Sequence, residues 1–234
     1  MCRASGCRAG RWRCCAITSR APDLAGRFIT LEGGEGAGKS TQARLLADAL
    51  RAAGHGVLET REPGGAPGAE LLRGLLLGEA VAFIPLAEAM LHSAARAEHV
   101  ARAIRPALDA GQMVVCDRYA DSTLAYQGYG QGVSRTAIDT LTGLIGLMPD
   151  LTLILDVPGD TALARLHARG GGGDRYERLG ADFFAKVNAG FRDIAARAPG
   201  RCVLIPAEAA PDAVQARILA AVRERLGLPA GAAR

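Results

Sequence analysis

Residues 33–40 read Gly-Gly-Glu-Gly-Ala-Gly-Lys-Ser, a complete G-x-x-x-x-G-K-S pattern between a short apolar run and a stretch with helical spacing. The glycines let successive backbone N–H groups turn inward on phosphates, and a helix beginning near Lys39 aims its positive dipole end at the same point. Lys39 would reach the outer phosphates of a nucleoside triphosphate, and Ser40 would hold a magnesium ion. The nucleotide-binding set is therefore Gly33, Gly34, Glu35, Gly36, Ala37, Gly38, Lys39, Ser40 and Thr41. Such a loop needs a strand before it and a helix after it, so it commits the chain to an α/β fold. The reaction is left open, because the same loop serves many unrelated activities.

The rest of the chain supports that fold. Short apolar runs at Phe28 to Leu31, Val57 to Thr60, Met113 to Asp117, Leu151 to Val157 and Cys202 to Ile205 alternate with helical stretches. This alternation predicts a doubly wound, five-stranded parallel sheet with helices on both faces. Helices are expected over Lys39 to Ala53, 86–109, 134–146, 159–168, 180–197 and 211–226. In the longest of them Ala87, Met90, Leu91, Ala94, Ala101, Ile104 and Leu108 follow helical spacing, while Glu88, His92, Arg96 and His99 form a separate stripe. With 234 residues, the chain can bury one substantial core, taken to span 26–228 as a single domain. No apolar run is long enough for a membrane span, so no membrane partner is expected.

The formal charge of +4 is unevenly spread. Residues 1–25 carry five of the 28 basic and one of the 24 acidic residues, which leaves 23 of each in 26–234. A neutral folded region argues against nucleic-acid binding. The basic segment 1–25 has no apolar periodicity to bury and is expected to be a disordered extension, with an upstream start codon or a transit peptide as alternatives. A flexible tail is expected over 229–234. Cys2, Cys7, Cys14 and Cys15 match no C-x-x-C or zinc spacing, and Cys116 and Cys202 read as buried reduced thiols. Nothing in this pattern demands an oxidising compartment, and a cytoplasmic location is expected.

Further along, Thr60-Arg61-Glu62-Pro63-Gly64-Gly65 follows the second strand and Asp117-Arg118 ends the third, so both lie at the carboxyl edge where open α/β sheets bind ligands. A carboxylate at Asp117 can join the magnesium shell, and the planar fork of Arg118 can grip a phosphate; a surface ion pair is the plainer alternative. His92 and Arg96 lie one turn apart and share a groove. His55, His99 and His167 read as solvated or partly buried, with no metal-ligand spacing among them.

Taken in order, these segments with Ala94-Ala95-Arg96, Asp117-Arg118-Tyr119 and Ser122-Thr123-Leu124-Ala125-Tyr126-Gln127-Gly128 resemble the thymidylate kinases, from about Phe28 to the C-terminal helix. The resemblance implies transfer of a phosphoryl group from ATP, with Mg2+, to dTMP, and a homodimer packed through the long helices. It implies a cis Glu62–Pro63 bond shaping the acceptor pocket, with Arg61 and Pro63 in its wall. Arg118 would contact the acceptor phosphate, Arg96 the thymine base, and Glu35 the 3′-hydroxyl. Thr123 and Gln127 would lie near the base, and Tyr126 would crowd the sugar 2′ position. His92 stands where the family carries a phenylalanine that stacks on the base. An imidazole stacks with less area, and with an ordinary pKa of about 6.5 it would change charge between about pH 5.5 and 7.5.

Arg165 to Glu177 combines arginines with Gly170 to Gly173, a composition suited to a mobile, positively charged lid over about 165–178. The residue after Glu35 is Gly36, so the loop lacks the arginine that some thymidylate kinases carry there. The resemblance then points to a lid-supplied catalytic arginine, with Arg175 foremost and Arg169 and Arg165 behind it. Two other classes remain: a kinase for another small acceptor, and a regulatory or DNA-handling ATPase. The second would bring a further domain or a basic track, and the neutral folded region offers neither.

Overall fold

The computed structural model describes residues 26–78, 82–169 and 180–228. The expectations placed on 1–25, on 170–178 and on 229–234 fall outside the described residues. The strands are β1 (Phe28–Glu32), β2 (Val57–Arg61), β3 (Met113–Asp117), β4 (Leu151–Asp156) and β5 (Cys202–Pro206), each within a residue of the apolar runs. They pair in parallel as one sheet in the order β2-β3-β1-β4-β5.

Both faces of the sheet are covered, which is why the central strands read as mostly apolar runs without a polar alternate face. On one face Ile29, Leu31, Val115 and Leu153 meet Leu46 and Leu50 of α1 (Lys39–Ala52) and Ile218 and Val222 of α9 (Pro211–Leu226). On the other, Phe28, Val114 and Cys116 pack on Val100, Ile104 and Leu108, and Ile154 packs on Val187, Phe191 and Ile194 of α8 (Ala181–Arg197). At roughly 1.5–3 kcal/mol per fully buried large apolar side chain, this interior outweighs helix propensity in setting the arrangement. Cys116 and Cys202 are buried free thiols, as expected.

Two helical segments went unforeseen. α2 (Pro67–Leu77) starts with proline at its first turn, and α5 (Ala120–Thr123) runs on into a π-helical turn, Leu124–Gly130. The expected long helix is α3 (Pro85–His99), a π turn Val100–Ile104 and α4 (Arg105–Asp109) in succession. The wide turn accommodates Pro106, which lacks an N–H and whose ring would otherwise crowd the carbonyl of Arg102. α6 (Arg135–Ile145) starts at Ser134, whose hydroxyl accepts the Ala137 N–H at 3.3 Å, and α7 (Gly159–Arg169) follows β4.

Along α3 the two stripes take unexpected places. Met90, Ala94 and, beyond α3, Ala101 are exposed, whereas Glu88 and His99 are fully buried and Arg96 nearly so. Glu88, Arg96 and His99 face inward because each finds hydrogen-bond partners there, as described below, which offsets part of their desolvation. His99 is thus neither solvated nor partly buried.

The register builds the site. Leu31 of β1 and Arg61 of β2 both pair with Asp117 of β3, so the residues that follow them, Glu32, Glu62 and Arg118, meet at one edge of the sheet.

Candidate active site

The phosphate loop leaves β1 with Gly33 at φ 136° and Gly36 at φ 72°. A Cβ at Gly33 would lie 2.5 Å from the Leu155 carbonyl oxygen, and one at Gly36 would lie 2.4 Å from that of Ala162, so only glycine fits either place. Ala37 turns its methyl into the core, leaving backbone as its means of contacting a phosphate. Lys39 is buried and donates to the Gly34 carbonyl at 2.7 Å. Burial and the nearby Arg118 charge lower its pKa, against the opposing pull of Glu35 and Asp117. Ser40 donates to Asp117 Oδ2 at 2.5 Å, and the buried Asp117 Oδ1 has no partner. An orphaned carboxylate oxygen beside a hydroxyl is the kind of hard oxygen donor set that suits magnesium.

Arg118 occupies the left-handed region, at φ 68°, which is uncommon for a side chain of its size. Its N–H donates to the Leu31 carbonyl at 2.9 Å, and Cys116 Sγ donates to its carbonyl at 3.0 Å. This kink turns the guanidinium back over the phosphate loop. There it donates to the Gly33 carbonyl at 3.3 Å and Ser122 Oγ at 3.2 Å, and pairs with Glu35. Tyr126 donates to Glu35 Oε1 at 2.9 Å, and its ring lies 5.0 Å beneath the Arg118 guanidinium carbon. Glu35 therefore comes from the nucleotide loop but points across to the other side of the cleft.

Arg96 forms the far wall. Its Nε donates to Glu62 Oε2 at 2.7 Å, and its Nη2 donates to the Tyr119 carbonyl and to Thr123 Oγ1, both at 3.0 Å. Nη1 is buried without a partner. Gln127 and Gln131 donate to Glu88 Oε1 at 2.8 and 3.0 Å, which fixes Gln127 in the wall. His92 lines the cleft, and burial together with the positive charges of Arg96 and Arg118 pushes its pKa from 6.5 down to about 3. It is neutral over the whole range in which an ordinary histidine would titrate, so the expected charge change between about pH 5.5 and 7.5 is corrected.

Lys39, Ser40 and Thr41 line one end of a cleft of about 530 Å³, and His92, Arg96, Thr123 and Gln127 line the other. Arg61, Pro63 and Tyr126 also line it, and the Glu62–Pro63 bond is cis. The same cleft thus gathers Lys39, Arg118 and the expected acceptor residues. Arg175 lies outside the described residues, and Arg169 is described only as the last residue of α7. Arg165 lines the cleft but donates to the carbonyls of Ala207 at 3.0 Å and Glu208 at 2.9 Å. In this arrangement it ties α7 to the segment after β5.

Several site residues went unread in the sequence. Arg73 of α2 reaches the cleft and donates to the Pro63 carbonyl at 2.6 Å; its signal was a helix opening at Pro67, hidden by two glycines. Glu62 and Glu88 hold Arg96 and Gln127. Glu32 ends β1 fully buried, where its Oε1 accepts the Tyr119 N–H at 2.7 Å and its Oε2 the Ser122 hydroxyl at 2.6 Å.

Residues 31–218 match the family model described as thymidylate kinase. A thymidylate kinase of Gluconobacter oxydans is 56% identical over 205 residues, covering 86% of this chain and 96% of that relative. One of Caulobacter vibrioides is 52% identical, with 87% and 99% covered. The crystal structure of thymidylate kinase from Ehrlichia chaffeensis superposes with a TM-score of 0.69 at 36% identity, covering 85% of this chain and 99% of that one. With its fold, its cleft and its sequence all aligned with these proteins, the chain belongs to the thymidylate kinase family.

Proposed function

We propose that the chain transfers the γ-phosphoryl group of ATP to dTMP, giving dTDP and ADP, in the cleft between the phosphate loop and Arg96. The observation that carries this reading is the buried Arg96: two of its nitrogens are anchored, and Nη1 has no partner. A buried unpaired guanidinium nitrogen is costly, and an acceptor oxygen of a base would satisfy it. Thymine O4 offers such an acceptor, whereas cytosine presents an N4 amine donor in its place.

In this reading the loop's backbone and Lys39 hold the triphosphate. Arg118 and Arg73 face the acceptor phosphate, His92 lies against the base, and Thr123 and Gln127 flank it. Glu35 meets the 3′-hydroxyl, and the Tyr126 ring excludes a ribose 2′-hydroxyl. No general base is needed, because a phosphomonoester with a second pKa near 6 is already largely a dianion at neutral pH. What the residues supply is alignment and charge: Lys39 and Arg118 hold two anionic groups in line, and Arg175 or Arg169 closes over them as charge spreads on the transferring group. Magnesium, held by Ser40 and Asp117, would neutralise phosphate charge.

A homodimer fits the exposed apolar residues Ile84, Leu86 and Met90 at the start of α3, with Leu71 and Leu75 on the neighbouring α2. Among the described residues no helix is long and apolar enough to cross a membrane. A cytoplasmic enzyme without a nucleic-acid partner is the matching proposal. The test is ADP release with ATP and magnesium across a panel of nucleoside monophosphates. dTMP should give the highest kcat/KM, and a better acceptor of another base would overturn the assignment.

A further inference from the structure

His99 stands one turn beyond Arg96 on α3, fully buried and outside the cleft wall. Its Nδ1 is 3.1 Å from Glu62 Oε1, and its Nε2 is 2.8 Å from Thr60 Oγ1. The other Glu62 oxygen accepts from Arg96 Nε. A carboxylate offers only lone pairs, so Nδ1 must carry a proton, and in a neutral ring Nε2 then accepts the Thr60 hydroxyl. The loop above is pressed onto this pair. A Cβ at Gly65, where φ is 81°, would lie 2.3 Å from His99 Nε2 and 2.5 Å from Thr60 Oγ1.

Thr60 and His99 thus run a chain of donors into Glu62 from the end of β2, and Arg96 donates to the same carboxylate from the cleft side. We infer that His99 is a positioning residue that sets base selectivity by locking Glu62, and through it the guanidinium of Arg96. The inference rests on the role of Arg96 proposed above. A planar guanidinium needs two anchor points to fix its rotation. The Tyr119 carbonyl and Thr123 Oγ1 both hold Nη2, so they make one end, and Glu62 at Nε makes the other. With a donor on each oxygen the Glu62 carboxylate cannot turn. Without His99 it keeps only the Arg96 bond and can swing, and Nη1 then loses its fixed position.

The test uses the full chain with His99→Leu, His99→Gln and Arg96→Ala, measuring kcat, KM for dTMP, KM for ATP and the dTMP-to-dCMP ratio of kcat/KM. His99→Leu should raise KM for dTMP roughly tenfold and narrow the ratio, with kcat and KM for ATP held within about twofold. His99→Gln keeps one donor and one acceptor and should restore most of the loss. An unchanged ratio in His99→Leu, with only a lower melting temperature, would make the histidine a packing residue and overturn the inference. If Arg96→Ala leaves the ratio unchanged, the base-reading role of Arg96 fails and takes the inference with it; a narrowed ratio there but not in His99→Leu sinks the inference alone. Should the variants fold poorly, two-bond proton–nitrogen NMR on the unsubstituted protein reads the His99 tautomer directly. The Nδ1–H form is expected, and the Nε2–H form overturns the chain of donors.

Discussion

The two ends of the cleft are built in opposite ways. The nucleotide end is one continuous stretch, Gly33 to Thr41, in which backbone conformation does most of the work and whose lysine rests on its own loop at Gly34. The acceptor end draws single side chains from β2, α3 and the segment after β3 and holds them by hydrogen bonds between residues far apart in sequence, such as Arg96 to Glu62 and Gln127 to Glu88. A local site can be altered without disturbing the rest, whereas a distributed one is coupled to the fold. The difference makes the two ends separable by experiment.

The largest effect expected is at the nucleotide end. Lys39→Ala should lower kcat by a factor on the order of 10³, since it removes a fixed charge aimed at the transferring phosphates. The dTMP dissociation constant, read by calorimetry, should stay within about twofold if the ends are independent. More than a few per cent of residual activity would sink the role of Lys39, and a large loss of dTMP affinity would break the comparison itself.

Glu32 sits at the seam, ending the strand that feeds the phosphate loop while accepting from Tyr119 and Ser122 on the acceptor side. Burial, and then the charge of Asp121, raises its pKa from 4.5 to about 8. Between those values the folded chain holds a proton that the unfolded chain has lost, so stability falls as pH rises through that window. The melting temperature should therefore drop by several degrees from about pH 5 to 8. Glu32→Gln, which stays neutral, should flatten the decline. An equally steep fall in the variant would assign the slope to another group.

How much could be read in advance follows the same division. The phosphate loop and the strands were legible because their signals are local: glycine spacing, and short, mostly apolar runs such as Leu151-Thr152-Leu153-Ile154-Leu155. The turn of Leu124–Gly130 was not, because Gly128 and Gly130 weaken helix propensity, and contact with α8 fixes it instead. Arg96 and one of its partners, Thr123, are carried by an ordered set of motifs, but the roles of Glu62 and His99 are not. Glu62 reads as part of a turn, and His99 reads as solvated or partly buried until tertiary packing removes its water. The inward polar stripe of α3 inverts the usual rule for amphipathic helices, and periodicity alone carries no sign of which stripe is buried.

The smallest expected effect is the sharpest probe of the acceptor end, because it changes one side chain and leaves the bonds that hold Arg96 and Gln127 in place. His92 lines the cleft with its pKa held near 3, so the ring is neutral and its contribution to binding is contact area, not charge. His92→Phe enlarges that aromatic face and should tighten dTMP binding by about 0.5–1.5 kcal/mol, while ATP affinity stays fixed. Because the imidazole does not titrate near neutrality, the dTMP dissociation constants of the unsubstituted protein and of the variant should run parallel between about pH 6.5 and 8, any shared slope coming from the phosphate of dTMP. Titration calorimetry of both proteins at several pH values makes the comparison. A gap that widens toward the acid end would mean that His92 gains a proton in the cleft and that Arg96 and Arg118 do not suppress its charge. Weaker binding by the phenylalanine variant at every pH would mean that the imidazole makes a polar contact with the base, and the acceptor end would then select its base through two side chains instead of Arg96 alone.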